Sequence, residues 1–84
     1  MNKSRYKTAA ALSYDDKLNS TPQLIMKGEE IMAEEIVKVA KRYNIPIKED
    51  AGLARALSKL EIDQEIPEEL YQAVAVILNQ LDDK

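Results

Sequence analysis

Between Pro22 and Pro46 the hydrophobic period changes once, and that change constrains the fold more than any other feature of the chain. Gln23-Leu-Ile-Met26 is a short apolar run bounded by Pro22 and Gly28, which reads as a buried strand. From Glu29 to Tyr43 the period becomes helical. Ile31, Met32, Ile36, Val39, Ala40 and Tyr43 share one broad stripe, with Glu34, Lys38, Lys41 and Arg42 on the wet side. Glu29 and Glu30 open this helix and Lys41 and Arg42 close it, as the macrodipole favours. Glu34 and Lys38 form an i,i+4 pair in the favourable order. Asn44 is a C-terminal stop, with Pro46 just beyond it. Ile45-Pro-Ile47 has room only for a short strand, at a sheet's edge or start because proline lacks a donor. Strand, helix and strand in this order predict a βαβ crossover, with parallel strands and a right-handed connection.

The flanks add one strand and two helices. Tyr6, Thr8, Ala10, Leu12 and Tyr14 alternate onto one face, which predicts a strand over 6–14 even though three consecutive alanines favour helix. Asp15 to Thr21 is polar and turn-rich. Asp50 can cap a short helix from Ala51 to about Leu60, its stripe formed by Leu53, Ala54, Leu57 and Leu60. Glu61 to Ile66 reads as a connector. Pro67 suits the first position of a last helix, with Glu68 and Glu69 in its first turn. Leu70, Val74, Ile77, Leu78 and Leu81 run down one side of that helix. No repeat or linker divides the 84 residues, so the expectation is one α/β domain over 1–84 with residues 1–5 flexible. Its small mixed sheet, of about three strands, has three helices packed around it.

Composition narrows the chemistry. The chain is 45% apolar and 32% charged, ordinary for a globular domain and too apolar for a disordered one. It contains no cysteine and no histidine, which removes disulfides, thiol nucleophiles, Cys/His zinc sites and His-based triads. The longest apolar run, Ala73 to Leu78, is far short of the ~18 residues a bilayer span needs. No signal-peptide pattern follows the first residues, so a cytoplasmic protein without direct membrane insertion is expected. The net charge is −3. Lys3, Arg5 and Lys7 make the first 14 residues basic, whereas residues 61–84 carry seven acids against Lys84 alone. Such a chain lacks the basic stripe of a general nucleic-acid binder.

The carboxylates are the remaining suggestive groups. Glu30 and Glu34 share a helix face but have no third ligand, so they read as a solvated acidic face. Glu61, Asp63 and Glu65 alternate without the glycine and terminal glutamate of a calcium loop. Lys27-Gly28 reverses the order of a phosphate loop and lacks its upstream glycine; a glycine turning strand into helix explains it. Ser4, Ser13, Ser20 and Ser58 have no histidine to activate them. The residues therefore point to a non-enzymatic interaction domain without cofactor or metal.

Five pieces of the chain, in order and spacing, resemble a known family. Ile66-Pro-Glu-Glu-Leu-Tyr-Gln-Ala-Val-Ala75 is similar to the closing segment of the FlhB/YscU family of flagellar and type III export-gate proteins. Ala11-Leu-Ser-Tyr-Asp15 resembles the family's strand end, and Pro22-Gln-Leu-Ile-Met-Lys-Gly28 its strand-to-helix turn. Ile45-Pro-Ile-Lys-Glu49 and Leu53-Ala-Arg-Ala-Leu57 follow as in the family. The likeness spans about residues 8–81 and implies the family's cytosolic domain, a small mixed sheet ringed by helices.

Two departures shape the expected role. Family members carry four transmembrane helices ahead of this domain, and none is found here. They also carry Asn-Pro-Thr-His, whose asparagine splits the chain before proline; Ser4-Arg5-Tyr6-Lys7 stands at that place, and no asparagine here precedes a proline. No self-cleavage residue carries over. Asp50-Ala51-Gly52 replaces the Asn-Pro-Pro common in the family. The resemblance thus implies a stand-alone counterpart of the family's C-terminal fragment, peripheral to the inner-membrane export gate. Implied partners are the gate's membrane proteins and export substrates or the hook-length ruler, and the implied work includes switching export specificity. A virulence-type secretion homologue, or a cytosolic regulatory domain that has kept the fold, are the alternatives. Because the strand at 6–13 lacks the neighbour that precedes it in the family, Arg5, Tyr6 and Lys7 are the expected partner-binding residues.

Overall fold

The computed structural model describes residues 6–14 and 21–82. Its strands are β1, Thr8–Ser13, and β2, Gln23–Glu29; its helices are α1, Ile31–Arg42, α2, Ala51–Ser58, and α3, Tyr71–Asp82. A 3-10 turn, Glu68–Leu70, leads into α3. The two strands pair antiparallel, from Thr8 opposite Glu29 to Ser13 opposite Gln23. Ala11 pairs with Met26 and Leu12 with Leu24, so Ile25 is an extra residue in β2. This bulge keeps Leu12 and Leu24 together on the side of the larger core.

The sheet separates two clusters. On one side α1 sets Ala33 and Val37 against Ala9, with Tyr6 and Ile36 at the margin. On the other, Leu24, Leu57, Leu60, Ile66 and Val74 form the larger core, with Ala10, Leu12 and Leu53 packed against it. A two-stranded sheet is marginal alone, and helices on both faces supply its burial. The alanine triplet forms a strand because of what lies over it. Ala9 faces fully buried Ala33, and a Cβ on Gly28 would fall 2.8 Å from Met32 Cβ, so α1 lies almost on the sheet backbone. Small residues permit that approach, and tertiary packing overrides the helix propensity of alanine.

The β2–α1 junction is tight. Glu30, the N-cap of α1, has φ 54° and ψ −118°, and its N–H donates to the Lys7 carbonyl at 3.0 Å. Asn44 ends α1 in the left-handed region at φ 59°, as a stop residue should. Asp50 caps α2: its Oδ1 accepts from the Leu53 N–H at 3.1 Å. Lys27 reaches from β2 to the far end of the same helix. Its Nζ donates to the carbonyls of Ser58 at 3.1 Å and Leu60 at 2.6 Å, groups that a helix C-terminus leaves unpaired.

Several expectations need correction. The described residues form two strands rather than about three, and no parallel βαβ unit exists among them. Ile45–Ile47 is not a strand: the Ile45 N–H caps α1 through the Ala40 carbonyl at 2.8 Å, and Pro46 has no donor to add to a ladder. Glu61 to Ile66, expected as a mere connector, instead covers the start of β2. Leu24 N–H donates to Gln64 O at 2.9 Å, and Ile66 N–H to Pro22 O at 3.0 Å. Asp63, at φ 73°, turns the chain there.

The buried line of α1 is also rotated from the predicted stripe. Ala33 and Val37 are its buried residues, while Ile31, Met32, Val39 and Tyr43 are exposed. Periodicity marked the apolar arc but not which part of it meets the sheet; close approach selects the small side of the arc. Pro67 finally caps the 3-10 turn rather than opening α3. In α3 Val74 is buried and Leu70, Ile77 and Leu78 are half-buried; the Leu81 side chain lies outside the described set.

Candidate functional site

In the described sheet β1 has β2 on one side only. The Lys7 carbonyl accepts from Glu30 on the β2 side, so by antiparallel alternation the backbone groups of Ala9 point to β2 as well. Those of Thr8 and Ala10 then point to the opposite, open edge. Such an edge is a template for one more strand.

The open edge borders a groove of about 890 Å³. Residues 6–12 line one part of it, and Ile45-Pro-Ile47, held apart from the sheet, lines another. Ile36 and Ala40 of α1, Leu53 of α2 and Ile77 of α3 complete much of the lining. Its volume lies within the range of ordinary binding pockets, roughly 300–1,000 Å³. Apolar walls with charges at the rim (Lys7, Lys48, Glu49, Arg55) suit an extended peptide with alternating side chains. A smaller cleft of about 230 Å³ lies between Tyr14, Pro22, Tyr71 and Val74.

Of the three predicted partner-binding residues, the structure brings two to this groove. Tyr6 is half-buried and packs at the edge of the α1 cluster; Lys7 is exposed; both line the groove. Arg5 lies outside the described residues. The wall at Ile45–Ile47 was missed by sequence reasoning. Its signal was present, since an apolar Ile-Pro-Ile that cannot complete a sheet ladder must present its side chains elsewhere. Among the described residues no three acidic side chains gather to hold a metal ion. No helix among them is long and apolar enough to cross a membrane.

The sequence profile of the FlhB HrpN YscU SpaS family matches residues 6–81. The chain belongs to this family. The resemblance read from the five sequence pieces is therefore to its true relatives. It is 39% identical over 71 residues to YlqH of Bacillus subtilis (strain 168), covering 84% of this chain and 76% of that one. It is 41% identical over 71 residues to the flagellar biosynthetic protein FlhB of the same organism, covering 83% of this chain but only 20% of FlhB. The PscU C-terminal domain has the same fold, with a TM-score of 0.84 at 30% identity, covering 90% of this chain and 98% of the PscU domain. A mutated EscU C-terminal domain gives 0.81 at 33% identity, covering 89% and 92%. The chain thus spans about a fifth of the FlhB relatives and most of the solved C-terminal domains. The mixed α/β fold of this chain, with its three helices, is that of the family's solved C-terminal domains.

Proposed function

We propose that this chain is a non-enzymatic component of the flagellar or type III protein export apparatus, acting as the FlhB C-terminal domain does in its family. It sits at the cytoplasmic face of the inner-membrane export gate, without inserting into the membrane. There it docks export substrates or the hook-length ruler and contributes to switching export specificity. The open edge of β1 above an apolar groove carries the reading: it offers one strand-shaped place for a partner segment. Tyr6 and Lys7 stand at its entrance, and Arg5 is the third residue proposed for this contact. Membership of the export family and the 41% identity to FlhB support flagellar export as the setting. No cofactor, metal or nucleic acid enters the proposal.

The test is a pull-down from detergent-solubilised membranes of a flagellated bacterium, with this chain as bait. Recovery of the gate's membrane proteins is expected. Recovery of unrelated cytosolic proteins alone would replace this reading with that of a regulatory domain. Recovery of a virulence-type gate instead would keep the mechanism and change the system.

A further inference from the structure

The apolar residues that α1 leaves uncovered are spaced as a coiled-coil seam. Met32, Ile36, Val39 and Tyr43 are separated by 4, 3 and 4 residues, the spacing of alternating a and d positions. Met32 is 59% exposed, Val39 36% and Tyr43 67%, and Ile36 is half-buried. On one flank of this seam Ala33 packs against the chain's own sheet and Ala40 is half-buried beside the groove. The other flank is solvent-exposed and carries Glu35 and Arg42, seven residues apart.

We infer that the seam is a self-association surface whose occupant is α1 of a second copy, packed antiparallel about a two-fold axis. The charges choose the occupant and its direction. The first half of α1 carries Glu34 and Glu35, and the second half Lys38, Lys41 and Arg42. A parallel copy would set like charge beside like, whereas an antiparallel one sets each acidic half beside a basic half. With Ile36 of one copy over Val39 of the other, Met32 falls over Tyr43. The same register brings Glu35 of each copy to Arg42 of the other, so one contact is made twice, as isologous symmetry requires. Within one chain Glu35 has only an exposed 3.9 Å contact with Lys38, which is readily exchanged. This surface is distinct from the groove beside β1, although Ile36 borders both. The stripe is small against the ~800 Å² that each partner of a stable complex buries, so the dimer is weak.

Sedimentation equilibrium of the full chain from about 10 μM to about 2 mM spans the range for so small an interface. The weight-average mass should rise with concentration from 9.5 kDa toward twice that value. Glu35→Arg alone and Arg42→Glu alone should each weaken association about tenfold, since either change makes two repulsive contacts. The double exchange restores both contacts and should bring the constant back to within about threefold. Tyr43→Ser, at an exposed residue past the helix, should abolish association while circular dichroism stays unchanged. A mass of 9.5 kDa at every concentration overturns the inference. So does association that the single reversals leave alone, or that the double exchange fails to recover.

Discussion

The two glycines of the chain should respond to alanine with opposite signs. Neither has positive φ, so backbone strain drops out of both substitutions. What differs is the space for a Cβ. At Gly28 it would lie 2.8 Å from Met32 Cβ, 3.2 Å from the Met32 carbonyl carbon and 3.1 Å from Ile36 Cδ1. Two of these three atoms are fixed to the backbone of α1, so the helix must move off the sheet and loosen Ala33 and Val37. Overpacking of this kind costs about 1–3 kcal/mol, against the 0.4–1 kcal/mol that alanine contributes by restricting the unfolded chain. The net loss for Gly28→Ala is about 1–2 kcal/mol. At Gly52, near the start of α2, the nearest heavy atom is Asp50 Oδ1 at 3.8 Å, ordinary contact. Gly52→Ala should therefore stabilise by about 0.5–1 kcal/mol. In a domain this small 1 kcal/mol shifts Tm by roughly 4–8 °C, so calorimetry separates the two variants easily. Ile36→Val in the Gly28→Ala background removes only Cδ1 and should recover a minor part. A Gly28→Ala protein as stable as the original would refute the close packing of α1 on the sheet.

Three further outcomes rest on the larger core, the end of α2 and the composition. Val74→Ala, at a residue only 2% exposed, should cost about 1.5–3 kcal/mol in urea unfolding, and Ile77→Ala, half-buried, distinctly less per methylene removed. Lys27→Met strips the end of α2 of two charge-assisted donors; at an exposed side chain the loss should be about 1 kcal/mol, with faster amide exchange near Leu60. The purified chain should also keep a single mass for days at neutral pH, because it has no Asn-Pro bond, thiol or imidazole. A specific backbone break within residues 4–7, seen by mass spectrometry, would contradict this.

Helix ends were legible where a boundary residue marks them. Asp50 caps α2 where its sequence position says it should, and Asn44 stops α1 in the left-handed conformation. The packed face of α1 was not legible. Met32, Val39 and Tyr43 are as apolar as Val37, and only the proximity of Gly28 and Ala9 makes the small side of the helix the inner one. The third strand failed, and sequence patterns do not display that the Ile45 donor caps α1. The groove beside β1 was half legible. An unpaired edge at residues 6–13 was expected, with Tyr6 and Lys7 beside it, but its facing wall at Ile45–Ile47 depended on that failed strand.

The proposed function depends on a partner segment of the export gate adding to the open edge of β1. Ala10→Pro tests it directly, because the Ala10 N–H points to the open edge and proline removes it while leaving the pairing of β1 with β2 in place. Calorimetric titration of the purified gate membrane proteins with the original chain and with this variant, each shown folded by circular dichroism, gives the two affinities. Strand addition predicts a loss of at least about tenfold, the equivalent of one hydrogen bond and its misaligned neighbours. Equal affinity of the folded variant would mean that the gate docks elsewhere on the domain.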